Sequence, residues 1–396
     1  MTIDKQLQAY RMYQRFVRIL LTIAGCWYMP TKSVKSVKYC WSIYVLLMLA
    51  MYLLIDLHLV YLNRHNLAEI MRYTGVAIST IGALLKVGTF LINRKSLINY
   101  HRMLNDLFEE ELMQNEKIRA IMFLPISTTY ILAYGYFAFM SSLILAYYAP
   151  SYIFLIHNLC HSRLTTNYTL PISRGYGYFW PVPDNFLYHF YFFFETSLVV
   201  FSGMTAVSVE NVFGFYVYQF SSTMRAMTFK LMNPPRTENF SDLLRTCSAK
   251  HKKLLQCRIT LEHIFGPLIF WHIVTNAMLL CSVLYSTVYV SKLNLSIIFA
   301  FLSYILVKLL QSFIYTWYGT VLTSASNDFR KGIYFGQWLK SSLDRQGGAN
   351  VVIMLMQKPM TINAFYSTVD LTIFTNLVNA TMSYFCLLQS ISSKDE

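Results

Sequence analysis

Charge is scarce in this chain of 396 residues: 13% are Asp, Glu, Lys or Arg, against 55% hydrophobic. A soluble domain carries about 25% charged residues, so roughly half that density excludes an ordinary water-facing surface. Acidic side chains are the scarcer kind, 19 against 33 Lys and Arg. Cysteine offers no framework either. The seven are scattered, and only Cys160 falls in a loop expected outside the cell, which argues against an extracellular disulfide scaffold. Also lacking are a nucleotide-binding loop and a Gly-x-Ser-x-Gly elbow. No cleavable signal peptide is expected, because more than 30 polar and basic residues precede the first apolar run.

What the chain has instead is long apolar stretches. Seven are of spanning length, at about 39–62, 73–93, 121–149, 186–217, 267–291, 295–323 and 361–391. They predict an all-α membrane protein of seven transmembrane helices, the fourth and sixth projecting beyond the bilayer on one side. Lysine and arginine set the orientation: 25 of the 33 lie before the first stretch or after the second, fourth and sixth, and six on the opposite side. That asymmetry predicts a cytoplasmic amino terminus and an extracellular carboxyl terminus. The net charge of +14 is then juxtamembrane anchoring, and nucleic acid is not needed to explain it. G-protein-coupled receptors are the other way up. The chain also has no Asp/Glu-Arg-Tyr after the third stretch and no Asn-Pro-x-x-Tyr in the seventh, so no G protein is expected.

The longest outer loop, about 150–185, is rich in proline, glycine and aromatics and is expected to fold back as a lid. It holds the sequon Asn167-Tyr-Thr169, an expected glycosylation site. His157-Asn-Leu-Cys160-His161 has metal-ligand residue types, but one short cluster without a distant fourth ligand is weak, and neither metal nor other cofactor is expected. His101 and Asp106 match the His-x-x-x-x-Asp spacing of glycerolipid acyltransferases, in which Asp orients a general base. The neighbouring Glu109-Glu-Glu111 reads more simply as a solvated cytoplasmic helix.

Ionisable residues inside the spans must face protein or water. Lys86 and Lys308 read as buried pairs or snorkelling side chains; Glu195 is left open between a ligand contact and a buried pair. In the third span Tyr130, Tyr134, Phe137, Ser141 and Ile144 recur at three- and four-residue spacing, as do Tyr191, Phe194, Leu198 and Phe201 in the fourth. Such stripes usually mean helix packing; beneath an aromatic lid they suit an apolar cavity for small volatile or lipophilic ligands.

The last stretch follows Gln357-Lys358-Pro359-Met360 and carries serine, threonine and asparagine at intervals, which fit a surface meeting protein or water. A single helix from the proline to near the chain end is expected. Trp317-Tyr-Gly319, Tyr334, Trp338, Gln357 to Met360 and Ser383-Tyr384-Phe385 together resemble the carboxyl-terminal third of insect odorant receptors, and the seven-span plan resembles that family throughout.

The resemblance implies a non-enzymatic subunit of a tetrameric, ligand-gated, non-selective cation channel in the plasma membrane of sensory neurons. The seventh helix lines the pore and cytoplasmic helix ends form an anchor. The implied layout is a segment 1–38, helices one to four with the pocket at 39–217, loop and anchor at 218–266, helices five and six with anchor at 267–360, and the pore helix at 361–396. The implied odorant pocket draws Tyr73, Val76 and Thr80 from helix two and Tyr134, Phe137 and Ser141 from helix three. Helix four adds Tyr191, Phe194, Glu195 and Leu198, and helix six adds Tyr304. The implied gate uses Leu387 and Ile391, with Gln389 or Ser390 as the polar lining. Here serine replaces threonine in the related Thr-Tyr pattern, and Gln389 comes one residue early. A loop of only about 50 residues between helices four and five points to a ligand-tuning subunit partnered by the co-receptor (Orco). Gustatory receptors share the topology and are the alternative within the superfamily; a membrane acyltransferase is the alternative from another class.

Overall fold

A computed structural model describes residues 3–28, 35–65, 67–161, 170, 172, 187–234, 239–289, 295–336, 338 and 345–392. The described chain begins with α1 (Ile3–Ile23), whose Tyr10, Tyr13, Val17, Leu20 and Leu21 recur every three or four residues and are buried, so the helix lays one face on the bundle. Then come α2 (Lys35–Leu62), α3 (Leu67–Ile92), α4 (Arg94–Leu112), α5 (Glu116–Phe123) and α6 (Ile126–His161). Three longer elements follow, α7 (Leu187–Met232), α8 (Phe240–Tyr289) and α9 (Leu295–Tyr334), then the shorter α10 (Arg345–Met356). A two-stranded hairpin, β1 (Asn363–Ala364) and β2 (Ser367–Thr368), precedes α11 (Leu371–Ser392).

Six helices are long and apolar enough to cross a membrane, and the apolar part of α11, Leu371–Leu387, is shorter. The fold is all-α and multi-pass, as the apolar stretches predict. Two boundaries differ from expectation. The region between helices four and five is not chiefly loop, because α7 and α8 continue as helices of 46 and 50 residues well past bilayer length.

The seventh span does not start at the proline. Residues 363–368 turn back on themselves as an antiparallel hairpin, with Asn363 opposite Thr368, and α11 begins only at Leu371. Asp370 supplies the physical reason: its Oδ1 accepts from the amides of Thr372 (3.0 Å) and Ile373 (3.3 Å), satisfying donors that open a helix.

The hub is α7, packed against α1, α2, α3, α4, α5, α6, α8 and α9. Every residue from Val207 to Met224 on it is buried, so the helix has no solvent face over that stretch. Polar groups there find partners within the protein: Asn211 gives its carbonyl to Tyr13 at 3.1 Å, and Gln219 Nε2 donates to Tyr10 at 2.9 Å.

Near the far end of α7, Glu111 is fully buried between Lys230 (2.6 Å) and Lys250 (2.5 Å), tying α4, α7 and α8 together. The acidic run expected to be solvated therefore ends in a buried ion cluster. Two cations offset the cost of burying its carboxylate.

Candidate functional site

Two regions of this bundle combine chemistry with open space or exposed surface. The first is a cavity of about 190 Å³ lined by α3, α6, α7, α8 and α9. Its apolar walls come from Ile78, Ala83, Met140, Leu268 and Val307, and its polar groups from Ser79, Lys86, Trp271, His272, Thr275, Tyr304, Lys308 and Gln311. Helical spacing makes this wall: Leu268, Trp271, His272 and Thr275 share one face of α8, and Tyr304, Val307, Lys308 and Gln311 one face of α9.

The polar groups are ordered by a buried network. Lys86 Nζ donates to Glu210 at 3.0 Å with both side chains nearly inaccessible. The other carboxylate oxygen accepts from the Tyr136 hydroxyl, which in turn accepts from Gln311 Nε2 at 3.1 Å. Asn276 reaches His272 at 2.8 Å and Ser312 at 2.9 Å, locking α8 to α9 beside the cavity. Tyr304 donates to the Gly75 carbonyl at 3.1 Å, and its ring lies under Lys308 Nζ, 5.4 Å away. Lys86 is thus a member of a buried pair, whereas Lys308 Nζ lies over the Tyr304 ring and makes no ion pair or hydrogen bond among the described residues.

Of the residues expected to bind a ligand, Tyr304 lines this cavity. Tyr73, Val76, Phe194 and Leu198 come together in an adjoining apolar cluster with Tyr52 and Ile172. Thr80, between the two, donates to Asp56 at 3.2 Å. Tyr191 packs against a smaller cluster of Leu170, Tyr188 and Phe192. Ser141 is half-buried, next along the chain to the cavity residue Met140. Tyr134 and Phe137 face elsewhere: both pack on Phe16 of α1, at ring distances of 4.2 and 5.4 Å. At Tyr134 and Phe137 the partner of that stripe is the amino-terminal helix, whereas Ile144 joins the apolar cluster of Tyr73 and Leu198.

Glu195 is buried and accepts the Ile172 amide at 2.7 Å, holding a residue of the segment between α6 and α7 against α7. Sequence reasoning assigned nothing in the cavity to helix five; the 268, 271, 272, 275 spacing was the signal that could have found it.

The second region is α11. Met382, Tyr384 and Leu387 are large apolar side chains left more than half exposed. Ser390 is also exposed and donates to the Leu387 carbonyl at 2.8 Å. The side chains of Gln389 and Ile391 lie outside the described residues, as does Asn167 with most of the loop around it.

The segment entering α11 is fixed to two cavity-lining helices. Arg258 of α8 donates to the Thr361 carbonyl at 2.7 Å, Glu262 accepts from Asn363 at 3.1 Å, and Thr320 of α9 accepts the Leu371 amide at 3.0 Å. Gly319 and Gly266 make room. A Cβ on Gly319 would collide with the Val369 backbone, and one on Gly266 would stand 2.9 Å from the Asn363 carbonyl.

The enzyme alternative does not fit. His101 is buried beside Tyr28 and Tyr216, at ring distances of 6.1 and 6.0 Å, and its Nδ1 has no partner among the described residues. A general base oriented by Asp106 would need that nitrogen engaged and a route for substrate. Among the described residues no three His, Cys, Asp or Glu side chains gather as metal ligands; the side chains of His157, Cys160 and His161 lie outside them.

Comparison with known proteins agrees with this fold. Odorant receptor 94a of Drosophila melanogaster is 22% identical over 57% of this chain and 59% of its own length. Odorant receptor 9a of the same fly is 24% identical over 48% of each. The matches therefore span about half to three fifths of those curated relatives.

The olfactory receptor OR5 of Machilis hrabei, solved in complex with eugenol, superposes with a TM-score of 0.77 at 13% identity, covering 98% of this chain and all of that one. Its structure described without that compound gives 0.73. A profile described as 7tm Odorant receptor matches residues 66–382, most of the chain. The chain belongs to the 7tm odorant receptor family, a family of receptors and not of enzymes.

Proposed function

We propose that this chain is the ligand-tuning subunit of an odorant-gated, non-selective cation channel, assembled as a tetramer with the co-receptor (Orco) in the plasma membrane of sensory neurons. The observation that carries the reading is the pairing of a cavity between the helices with a last helix that leaves Met382, Tyr384 and Leu387 more than half exposed. Such a helix suits a shared central axis, where four copies meet. An apolar ring of Leu387 and Ile391 closes that axis by dewetting, and Gln389 or Ser390 gives it polar lining.

Small volatile ligands occupy the cavity and its neighbouring cluster, so Tyr73, Val76, Thr80, Phe194, Leu198 and Tyr304 shape the site directly or from behind. The bound eugenol of the Machilis hrabei receptor supports a ligand of this size class. Tyr134, Phe137, Ser141, Tyr191 and Glu195 contribute through packing.

Occupancy reaches the gate through α8 and α9, which line the cavity and also hold the start of α11. The amino terminus is cytoplasmic, which the distribution of lysine and arginine supports.

Whole-cell recording tests this directly, with the chain expressed alone and with the co-receptor across a panel of volatiles. Rapid cation current on co-expression, independent of G-protein signalling, is the expected result. Current from the chain alone would make it a self-sufficient receptor, and silence in both with surface expression verified would defeat the reading.

A further inference from the structure

The cavity holds one more cation than its walls neutralise. Lys86 is matched by Glu210 at 3.0 Å. Lys308 is 7% exposed, lines the cavity, and forms no ion pair or hydrogen bond through its Nζ among the described residues. Trp271, on the neighbouring wall, has an Nε1–H with no acceptor among the described residues. Gly82 keeps space open there: a Cβ on it would still stand 3.7 Å from that nitrogen.

Buried charges and donors without partners are costly, and the cost is removed by a ligand that supplies what is missing. Two donors, one of them charged, call for an acceptor that carries negative charge. Gln311 Oε1 is an unpaired acceptor in the same lining. A ligand without a donor leaves it so, but pairing one neutral acceptor is worth less than neutralising a buried cation.

Resting on the reading of this cavity as the odorant site, we propose that its ligand is a small monocarboxylic acid held as the carboxylate. Lys308 Nζ is the counter-ion, Trp271 Nε1–H the second donor, and Ile78, Met140 and Val307 receive the hydrocarbon. Size sets the class: a cavity of about 150 Å³ admits benzene, so 190 Å³ takes an acid of about six carbons and no long acyl chain.

The test compares binding of hexanoate, 1-hexanol and palmitate to the purified full-length chain in detergent at neutral pH, for wild type, Lys308→Met and Trp271→Phe. Hexanoate is expected to bind wild type at least ~10-fold more tightly than 1-hexanol. Lys308→Met should erase that preference while 1-hexanol binding persists, which also shows the variant is folded. Trp271→Phe, which keeps an aromatic ring but removes the N–H donor, should weaken hexanoate several-fold and 1-hexanol much less.

Equal binding of acid and alcohol, or an acid preference that survives Lys308→Met, would overturn the proposal. So would competition by palmitate as strong as that by hexanoate, which would make this a lipid site. Current on co-expression separates the two readings. Acid binding without current would defeat the channel and keep the acid site; current evoked only by neutral volatiles would do the reverse.

Discussion

At the residue scale, the informative side chains are buried charges whose partners lie far away in sequence. Glu210 sits 124 residues from Lys86, and both are almost wholly buried. Lys86→Met leaves the carboxylate without its cation and is expected to cost about 3–5 kcal/mol of stability. The double variant Lys86→Met with Glu210→Gln should recover most of it, as read by thermal unfolding in detergent. Sequence alone identified Lys86 as a charge that must face protein, from its place in an apolar run; its partner was not legible, since Glu210 enters only when α3 and α7 pack.

His101 gives a second prediction. Burial, followed by the nearby charge of Arg18, pushes its imidazole down from 6.5 to about 4. The folded state therefore holds it neutral: its contribution is complete above about pH 6.5 and is lost as pH falls toward 4, by up to about 3 kcal/mol. Acid titration of melting temperature should show that loss, and His101→Phe should flatten it over the same window.

At the scale of elements, the join between α9, the hairpin and α11 is where sequence reading and structure part. The apolar run from 361 to 391 looks continuous because hydropathy is blind to a six-residue turn-back. Asp370, an acid just before an apolar run, was the readable signal for a helix start. Asp370→Ala should cost about 1 kcal/mol and alter gating without changing ligand binding. Gly319→Val is the stronger probe, since its side chain would drive against the Val369 backbone. Preserved ligand binding with lost or constitutive current is the expected result, and unchanged currents would mean the segment moves freely past α9. Legibility was better where a helix is one unbroken apolar run: the spans 39–62 and 73–93 agree closely with Tyr39–Leu62 and Tyr73–Ile92.

At the scale of the whole molecule, the predictions concern orientation and assembly. Asn167→Gln should remove a glycan-dependent shift in gel mobility if the 150–185 loop is outside the cell; a glycan mapped to Asn239 instead would invert the topology. Leu387→Ala is expected to raise basal current or change ion selectivity in the proposed channel, while unchanged leak, block and conductance would take this residue out of the pore. Fold class was open to reading from composition, because a bundle of apolar spans has few alternatives in a bilayer. The cavity was not, because its wall is assembled from five helices, each contributing a few residues that on their own look like packing. That division has an evolutionary corollary. The residues of α8 and α9 that face the cavity lie between 268 and 311, whereas those meeting the entry to α11 lie at 258–266 and 319–326. Because the two sets share helices but no positions, mutation can rewrite what the subunit detects while leaving intact how detection is reported, and one scaffold can diversify into many sensors without reinventing its output.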